Sequence, residues 1–281
     1  MYKLIADSGS TKTDWIIINT KGEVVEQIHS IGFNPYFHSS EFISDEINKA
    51  FSKVSVDLFQ IKEVFYYGAG CSSSIKKKIV NKALKINFTS ANTEVQHDLI
   101  AAARATLGNR NGIACILGTG ANSCVWEQGK EIHNIASHGY IFGDEGSGSY
   151  LGIRLLKLYL SDSLGEDLKQ KFDSEYNISK EEILNKTYQQ KNPNVFLASF
   201  AKFYFDNVND KNLQNIIRKG FIDFFEVRVI PYSNYKNYEL GFVGSIAFYY
   251  NEILTEVAEQ YVIKIHKITK APIDELVAFH S

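Results

Sequence analysis

The octet Asp7-Ser8-Gly9-Ser10-Thr11-Lys12-Thr13-Asp14 is the first stretch whose residue types could do chemistry. Small residues let backbone N–H groups approach phosphate oxygens, hydroxyls add donors, and Lys12 adds charge. Asp7, where a strand would end, is placed to hold Mg²⁺, through water because that ion sheds its hydration shell reluctantly. The same composition also makes a plain hairpin turn. It is not a Walker loop, because no G-x-x-x-x-G-K-[ST] is present and a strand follows the turn. A second turn, Gly118-Thr119-Gly120-Ala121-Asn122-Ser123, carries the same two readings. A third run, His138 to Tyr150, sets Asp144 and Glu145 among glycines ahead of a helix that Ser147 or Ser149 could cap. His138, with no partner in the sequence pattern, reads as structural. Asp98 precedes an alanine-rich run and is either that helix's N-cap or a general base accepting a hydroxyl proton during phosphoryl transfer.

These residues need a scaffold, and the hydrophobic pattern supplies one. Tyr2–Ala6, Trp15–Ile18 and Val24–Ile28 read as three strands joined by tight turns. The pattern recurs as Gly112–Leu117, Ser123–Trp126 and Glu131–Ile135, a spacing suited to a duplicated domain. That both glycine turns open a half of the repeat strengthens the phosphate reading of each. Val64–Tyr67 reads as a buried strand, and Glu239–Val243 as a late one running into Gly244 and a helix over Ile246–Glu259. Apolar spacing predicts helices over Glu41–Val54, Ser73–Leu84 and Asp98–Leu107, then Tyr150–Leu160, Lys180–Lys186, Val195–Phe205 and Lys211–Val227. Two such domains facing each other would form a cleft suited to a nucleotide.

Composition narrows the class. A chain of 281 residues suggests two domains at roughly 150 residues each. Lys plus Arg at 30 against Asp plus Glu at 32 gives no broad basic field for nucleic acid. Cys71, Cys115 and Cys124 form no C-x-x-C pair, which argues against a disulfide framework or zinc site and fits a reducing cytoplasm. The opening residues reach Asp7 before a signal-type apolar core develops, and no apolar run reaches the ~18 residues of a membrane helix. The expectation is a cytoplasmic protein that binds neither nucleic acid nor membrane.

Together, Asp7–Asp14, Gly118–Gly120, the Gly143–Gly148 loop and Gly241-Phe242-Val243-Gly244-Ser245 resemble the sugar kinase, heat-shock chaperone and actin superfamily. Within it the chain looks like the BadF/BadG/BcrA/BcrD ATPase family, in its N-acetylglucosamine kinase-like branch. The resemblance implies an α/β fold of two actin-like (ribonuclease H-like) domains around an interdomain nucleotide cleft. Residues 1–111 would form the first, with 269–281 packing back on it, and 112–268 the second, with a helical insertion over 160–228. It implies nucleotide binding by Ser8, Gly9, Ser10, Thr11, Lys12 and Thr13, by Gly118, Thr119 and Gly120, and by Gly244 and Ser245 of an adenosine motif. Val64–Gly70 corresponds to a connecting segment at the hinge. Asp98 matches the family's base, also in contact with substrate. Asn34, in Gly32-Phe33-Asn34-Pro35, matches an asparagine on sugar hydroxyls, and Asp144 with Gly143 an acidic sugar site. By residue type alone, Asn34 reads equally as a turn with Pro35. Ser8 and Ser245 depart from the pattern, which usually has glycine at the first and often at the second.

The implied activity is ATP- and Mg²⁺-dependent phosphorylation of an amino sugar, N-acetylglucosamine on its 6-hydroxyl first among them, and a homodimer is compatible with it. The family's other branch activates dehydratases through an iron–sulfur cluster shared across a dimer. Cys71 alone reads as open to exposure here, and one thiol per subunit cannot supply four ligands. A nucleotide-binding regulator without catalysis is a third reading, which would not require Asp98, Asn34 and Asp144 together.

Overall fold

In the computed structural model, which describes residues 1–9 and 11–281, the opening meander comprises β1 (Tyr2–Ser8), β2 (Lys12–Asn19) and β3 (Val24–Ile31). β4 (Ile61–Gly68) and β5 (Asn92–His97) join it in parallel with β1, giving the order β3-β2-β1-β4-β5. Leu4, Ile5 and Ala6 are all buried, so β1 is covered on both faces, as a central strand flanked by helices must be. Leu4, Ala6, Trp15 and Ile17 join one core with the buried faces of α1 (Ser40–Phe51) and α2 (Ser74–Asn87). Ser39 and Ser73 cap these two helices, each accepting a backbone N–H. α3 (Asp98–Thr106) and a C-terminal helix, Ile273–His280, pack on β1 and on each other. His280 fixes that last helix: it stacks on Phe65 at 3.8 Å, with Nε2 2.7 Å from the Tyr67 hydroxyl. Burial, helped by the Arg104 charge, pushes its pKa down to about 4, so the ring is neutral near pH 7.

The second sheet repeats the first. β6 (Gly112–Leu117), β7 (Ala121–Glu127) and β8 (Lys130–Asn134) form a meander, and β9 (Glu239–Val243) and β10 (Ile265–Thr269) run parallel to β6. The order β8-β7-β6-β9-β10 has the connectivity and strand directions of the first sheet. Helices α4 (Gly139–Phe142), α5 (Gly148–Leu160), α6 (Glu166–Tyr176), α7 (Lys180–Tyr188), α8 (Pro193–Ser199), α9 (Ala201–Asp206) and α10 (Lys211–Arg228) lie between β8 and β9 in the chain. α11 (Ser245–Tyr249) and α12 (Asn251–Gln260) follow β9. The chain divides into two units, Met1–Asn109 with Ala271–Ser281, and Arg110–Lys270. Among the described residues, no helix is long and apolar enough to cross a membrane.

Some elements differ from the sequence expectation. The helix expected over Val195–Phe205 is two, α8 and α9, parted at Phe200, and the one expected after Gly244 breaks at Tyr250, whose ψ of 31° leaves the helical range. β5, β10 and α6 carry too little apolar pattern to be found by periodicity: β5 buries only Val95, and α6 only Leu168 and Phe172.

Candidate functional site

In the first unit, strand register collects the candidate residues at one edge of the sheet. Ser8 pairs with Thr13 on β2 and Gly68 on β4, and Gly68 pairs with His97 on β5. Gly9 after β1, Thr11 before β2, the Gly32–Pro35 segment after β3, the Ala69–Cys71 segment after β4, and Asp98 after β5 therefore all lie at this edge. It is the carboxyl end of the parallel strands, where open α/β sheets bind ligands. Backbone bonds tie the segments together: Gly32 N–H donates to the Thr11 carbonyl at 3.0 Å, and Ala69 N–H to the Ser8 carbonyl at 2.9 Å.

Within the first turn, the side chains do less than their types suggested. Ser8 is buried, with its Oγ 2.8 Å from Thr13 Oγ1 and accepting the Phe33 N–H at 3.1 Å. Thr13, also buried, donates to the Ile31 carbonyl at 2.9 Å. These two hydroxyls bind the turn to the segment carrying Asn34. Ser8, in a position where glycine is usual, thus gains a structural bond. Lys12 is likewise engaged, its ammonium 2.8 Å from Asp14, which also lies 2.8 Å from His29 Nδ1. Gly9 N–H donates to the Lys12 carbonyl at 2.9 Å, and Thr11 is exposed. Ser10 lies outside the described residues.

Asp7 and Asp98 both lie at this edge, and the charge of Asp98 acts on Asp7. Asp98 is the first residue of α3, one place beyond the N-cap position, which His97 occupies without a side-chain capping bond. The capping role open to it in the sequence therefore falls away. Its side chain is 44% exposed, with Oδ1 4.0 Å from His97 Nδ1. Asp7 is half-buried on β1, and its pKa is pushed up to about 7, first by burial and then by the charges of Asp14 and Asp98. A carboxyl group so crowded by negative charge favours whatever neutralises it, a proton or a cation. A hard oxygen donor in this state fits Mg²⁺ held through water.

Asn34 sits in a turn that fixes its side chain. Its Oδ1 accepts the Tyr36 N–H at 3.0 Å, and its carbonyl accepts from Phe37 and His38. Gly70 lies against it with φ +78°, and a β-carbon there would meet Asn34 Oδ1 at 2.6 Å. The turn with Pro35 is present, and it leaves the Nδ2 group unengaged among the described residues.

In the second unit the corresponding edge is held differently. The Gly118–Gly120 turn is closed by a bond from Gly118 N–H to the Gly120 carbonyl at 3.0 Å. Ser147 caps α5 by accepting the Tyr150 N–H, and Ser149 Oγ donates to the Thr119 carbonyl at 2.6 Å. Gly244 has φ +129°, and a β-carbon on it would stand 2.2 Å from the Leu117 carbonyl oxygen, so only glycine fits against this turn. Beside these groups lies a cavity of about 410 Å³, its lining including Gly118, Thr119, Lys202, Phe205, Ser245 and Tyr249.

Asp144, expected as a sugar contact, is tied into the fold through one of its carboxylate oxygens. It is buried with φ +58°, and its Oδ1 accepts the Ala121 N–H at 3.0 Å and the Ser137 hydroxyl at 2.7 Å. A β-carbon on Gly120 would meet its Oδ2 at 2.9 Å. Asp144 therefore braces the second turn. Its neighbour Glu145 is held by Arg228, whose Nε and Nη2 both lie 3.0 Å from Oε2. Arg228 is 1% exposed and also donates to the carbonyls of Ile135 and Ala136. Gly143 is packed against the same guanidinium, with Nη2 2.7 Å from where its β-carbon would be.

A family model for BadF/BadG/BcrA/BcrD ATPases matches residues 6–236. The chain belongs to that family. Its structure superposes on that of a Porphyromonas gingivalis protein named as a candidate N-acetylglucosamine kinase, with a TM-score of 0.92, 34% identity, and 99% and 98% of the two chains covered. A Streptomyces griseus ROK family glucokinase, solved with glucose and AMPPNP, shares the fold at a TM-score of 0.58 and 14% identity over 99% and 98% of the chains. So does component A of the Acidaminococcus fermentans (R)-2-hydroxyglutaryl-CoA dehydratase, at 0.53 and 13% over 100% and 97%. A comparison with curated proteins returns no match. The two five-stranded sheets are those of the actin-like sugar kinase fold.

For this family member, sequence reasoning passed over Ser137 and Arg228 as working residues. Arg228 had a signal: it continues the spacing of Phe221, Phe224 and Phe225, the buried face of α10, where a cation needs a partner. Ser137 had none.

Proposed function

We propose that the protein is an ATP-dependent sugar kinase that phosphorylates an amino-sugar hydroxyl, with N-acetylglucosamine and its 6-hydroxyl first among the candidates. The observation that carries this reading is the first sheet edge, where Asp98 stands half-exposed beside Asp7 and near the segment presenting Asn34. Asp98 would accept the hydroxyl proton as that oxygen attacks phosphorus, and Asn34 Nδ2 would donate to a sugar oxygen. The backbone of the two glycine turns would hold phosphates. The cavity beside Ser245 would take the nucleoside. Mg²⁺, when bound, supplies positive charge to the phosphates, and Asp7 is the residue that would hold it, through water.

The 34% identity to the candidate N-acetylglucosamine kinase supports this branch of the family. The dehydratase-activator branch is disfavoured by the thiols: Cys71, for which exposure was open, is buried, as are Cys115 and Cys124. Buried thiols cannot be shared with a second subunit. Three free, buried cysteines suit a reducing compartment such as the cytoplasm. The test is ADP release measured with ATP, Mg²⁺ and a panel holding N-acetylglucosamine, glucosamine, N-acetylmannosamine, N-acetylmuramic acid and glucose. Sugar-dependent release, fastest with N-acetylglucosamine, is expected. ATP turnover indifferent to every sugar would point to the ATPase branch instead, and nucleotide binding without turnover to a regulator.

A further inference from the structure

The second unit contains another cavity, of about 670 Å³, that shares no lining residue with the glycine turns. It lies among α4, α5, α7 and α8. Leu156, Ile183 and Leu197 are buried beneath it, while Ile141 and Tyr188 at its rim are 66% and 80% exposed. The volume is that of a small-molecule site, and the lining is predominantly apolar. Its polar groups are few. Ser161 and Thr187 donate their hydroxyls to the carbonyls of Lys157 and Ile183. Lys157 is the one charged residue of the lining, which includes no carboxylate, and its ammonium has no partner among the described residues.

We propose that this groove binds a small amphipathic carboxylate, its apolar body on the Leu156, Ile183 and Leu197 floor and its anionic head on Lys157. An apolar surface with a single unpaired cation at its margin complements a molecule with one negative end. A sugar or nucleotide would lack hydrogen-bonding partners over most of this wall. A second copy of the chain, seated face to face, would bring its own Lys157-bearing groove and no carboxylate from that lining to meet the cation. The site has a route to the rest of the unit, because α4 runs directly into Gly143 and Asp144, the loop that braces the second turn.

The test is calorimetric titration of the full chain with decanoate and with the neutral decanamide, together with sedimentation of the free protein. One decanoate should bind per chain, with decanamide about tenfold weaker, the value of one charge-assisted contact. Lys157→Gln, an exposed change that leaves the fold alone, should bring the two ligands to equal affinity. Leu184→Glu, also at the exposed rim, should weaken decanoate more than decanamide. Absence of saturable decanoate binding, or equal affinity of the two ligands for the unaltered chain, would overturn the proposal. So would a dimer that Leu184→Glu converts to monomers, since the groove would then be covered by a second copy.

Discussion

The two sheet edges share one topology and differ in how their carboxylates are matched. At the first, Asp7 is pushed up to about 7 by burial and by two neighbouring carboxylates, and Asp98 stands 44% exposed. At the second, the charged side chains are matched: Asp144 by Ala121 and Ser137, and Glu145 by a 1%-exposed Arg228. The repeated scaffold thus keeps strand order and turn position while the side chains at its two edges differ. The strained charges of the first edge suit a reacting group, and the satisfied charges of the second suit a rigid cradle.

Substitutions at the two edges should therefore fail in different ways. Asp98→Asn should lose ~10²–10⁴-fold in kcat, the usual contribution of a general base, while the protein stays folded. Because Asp98 is not the N-cap, Asp98→Ala should cost only ~0.3–1 kcal/mol through the helix dipole, readable as a small fall in Tm. A folded Asp98→Asn protein with near-normal turnover would erase the contrast between the edges.

At the second edge the large effect should be on stability. Arg228→Met leaves Glu145 without its partner in a largely enclosed position and should cost ~3–5 kcal/mol in chemical denaturation. If Arg228→Met melts like the parent and only kcat falls, the second edge is not the passive cradle described.

Asp7 gives the contrast a pH signature. Its folded-state pKa of about 7 exceeds the ordinary 3.8, so the folded protein holds a proton that the unfolded chain has released between those values. Stability should therefore fall as pH rises through that window. Asp7→Asn removes the effect and should raise stability at pH 8 by ~1–3 kcal/mol, discounted for partial exposure, while impairing Mg²⁺-dependent turnover. A denaturation series over pH 4 to 8 that is the same for both proteins would contradict the crowding of carboxylates at this edge.

The smallest effect separates Asn34 from Asp144. Asn34→Ala should raise KM for the sugar about tenfold with KM for ATP unchanged, whereas Asp144→Ala should disturb both substrates by loosening the second turn. Equal responses in the two variants would mean that Asn34 too is only a brace.

Much of this division was legible in the residues and some was not. The three-strand meander and its recurrence at Gly112 stood out because central strands are covered on both faces and read as unbroken apolar runs. The edge strands β5 and β10 did not, since Asn-Thr-Glu-Val-Gln-His and Ile-His-Lys-Ile-Thr become strands by pairing with a neighbour already in place. Asp98 was singled out by type and position, and Asn34 through the family resemblance. Asp144 was singled out by type, but its engagement by the fold was not legible, because its Oδ1 accepts from Ala121 and Ser137, groups whose approach no local pattern records.

By itself, then, the sequence determined the repeat, the two glycine turns and the identity of the residues able to do acid–base work, all of which are written in residue type and in spacing along the chain. Which of those residues remain available was decided only in three dimensions. Lys12, Ser8, Thr13 and Asp144 have the chemistry of ligand contacts, and each is engaged by a partner of the fold. A hydrogen bond or ion pair depends on distance and burial, and between Ser123 and Arg228, bonded at 2.6 Å across 105 positions of chain, the sequence holds neither.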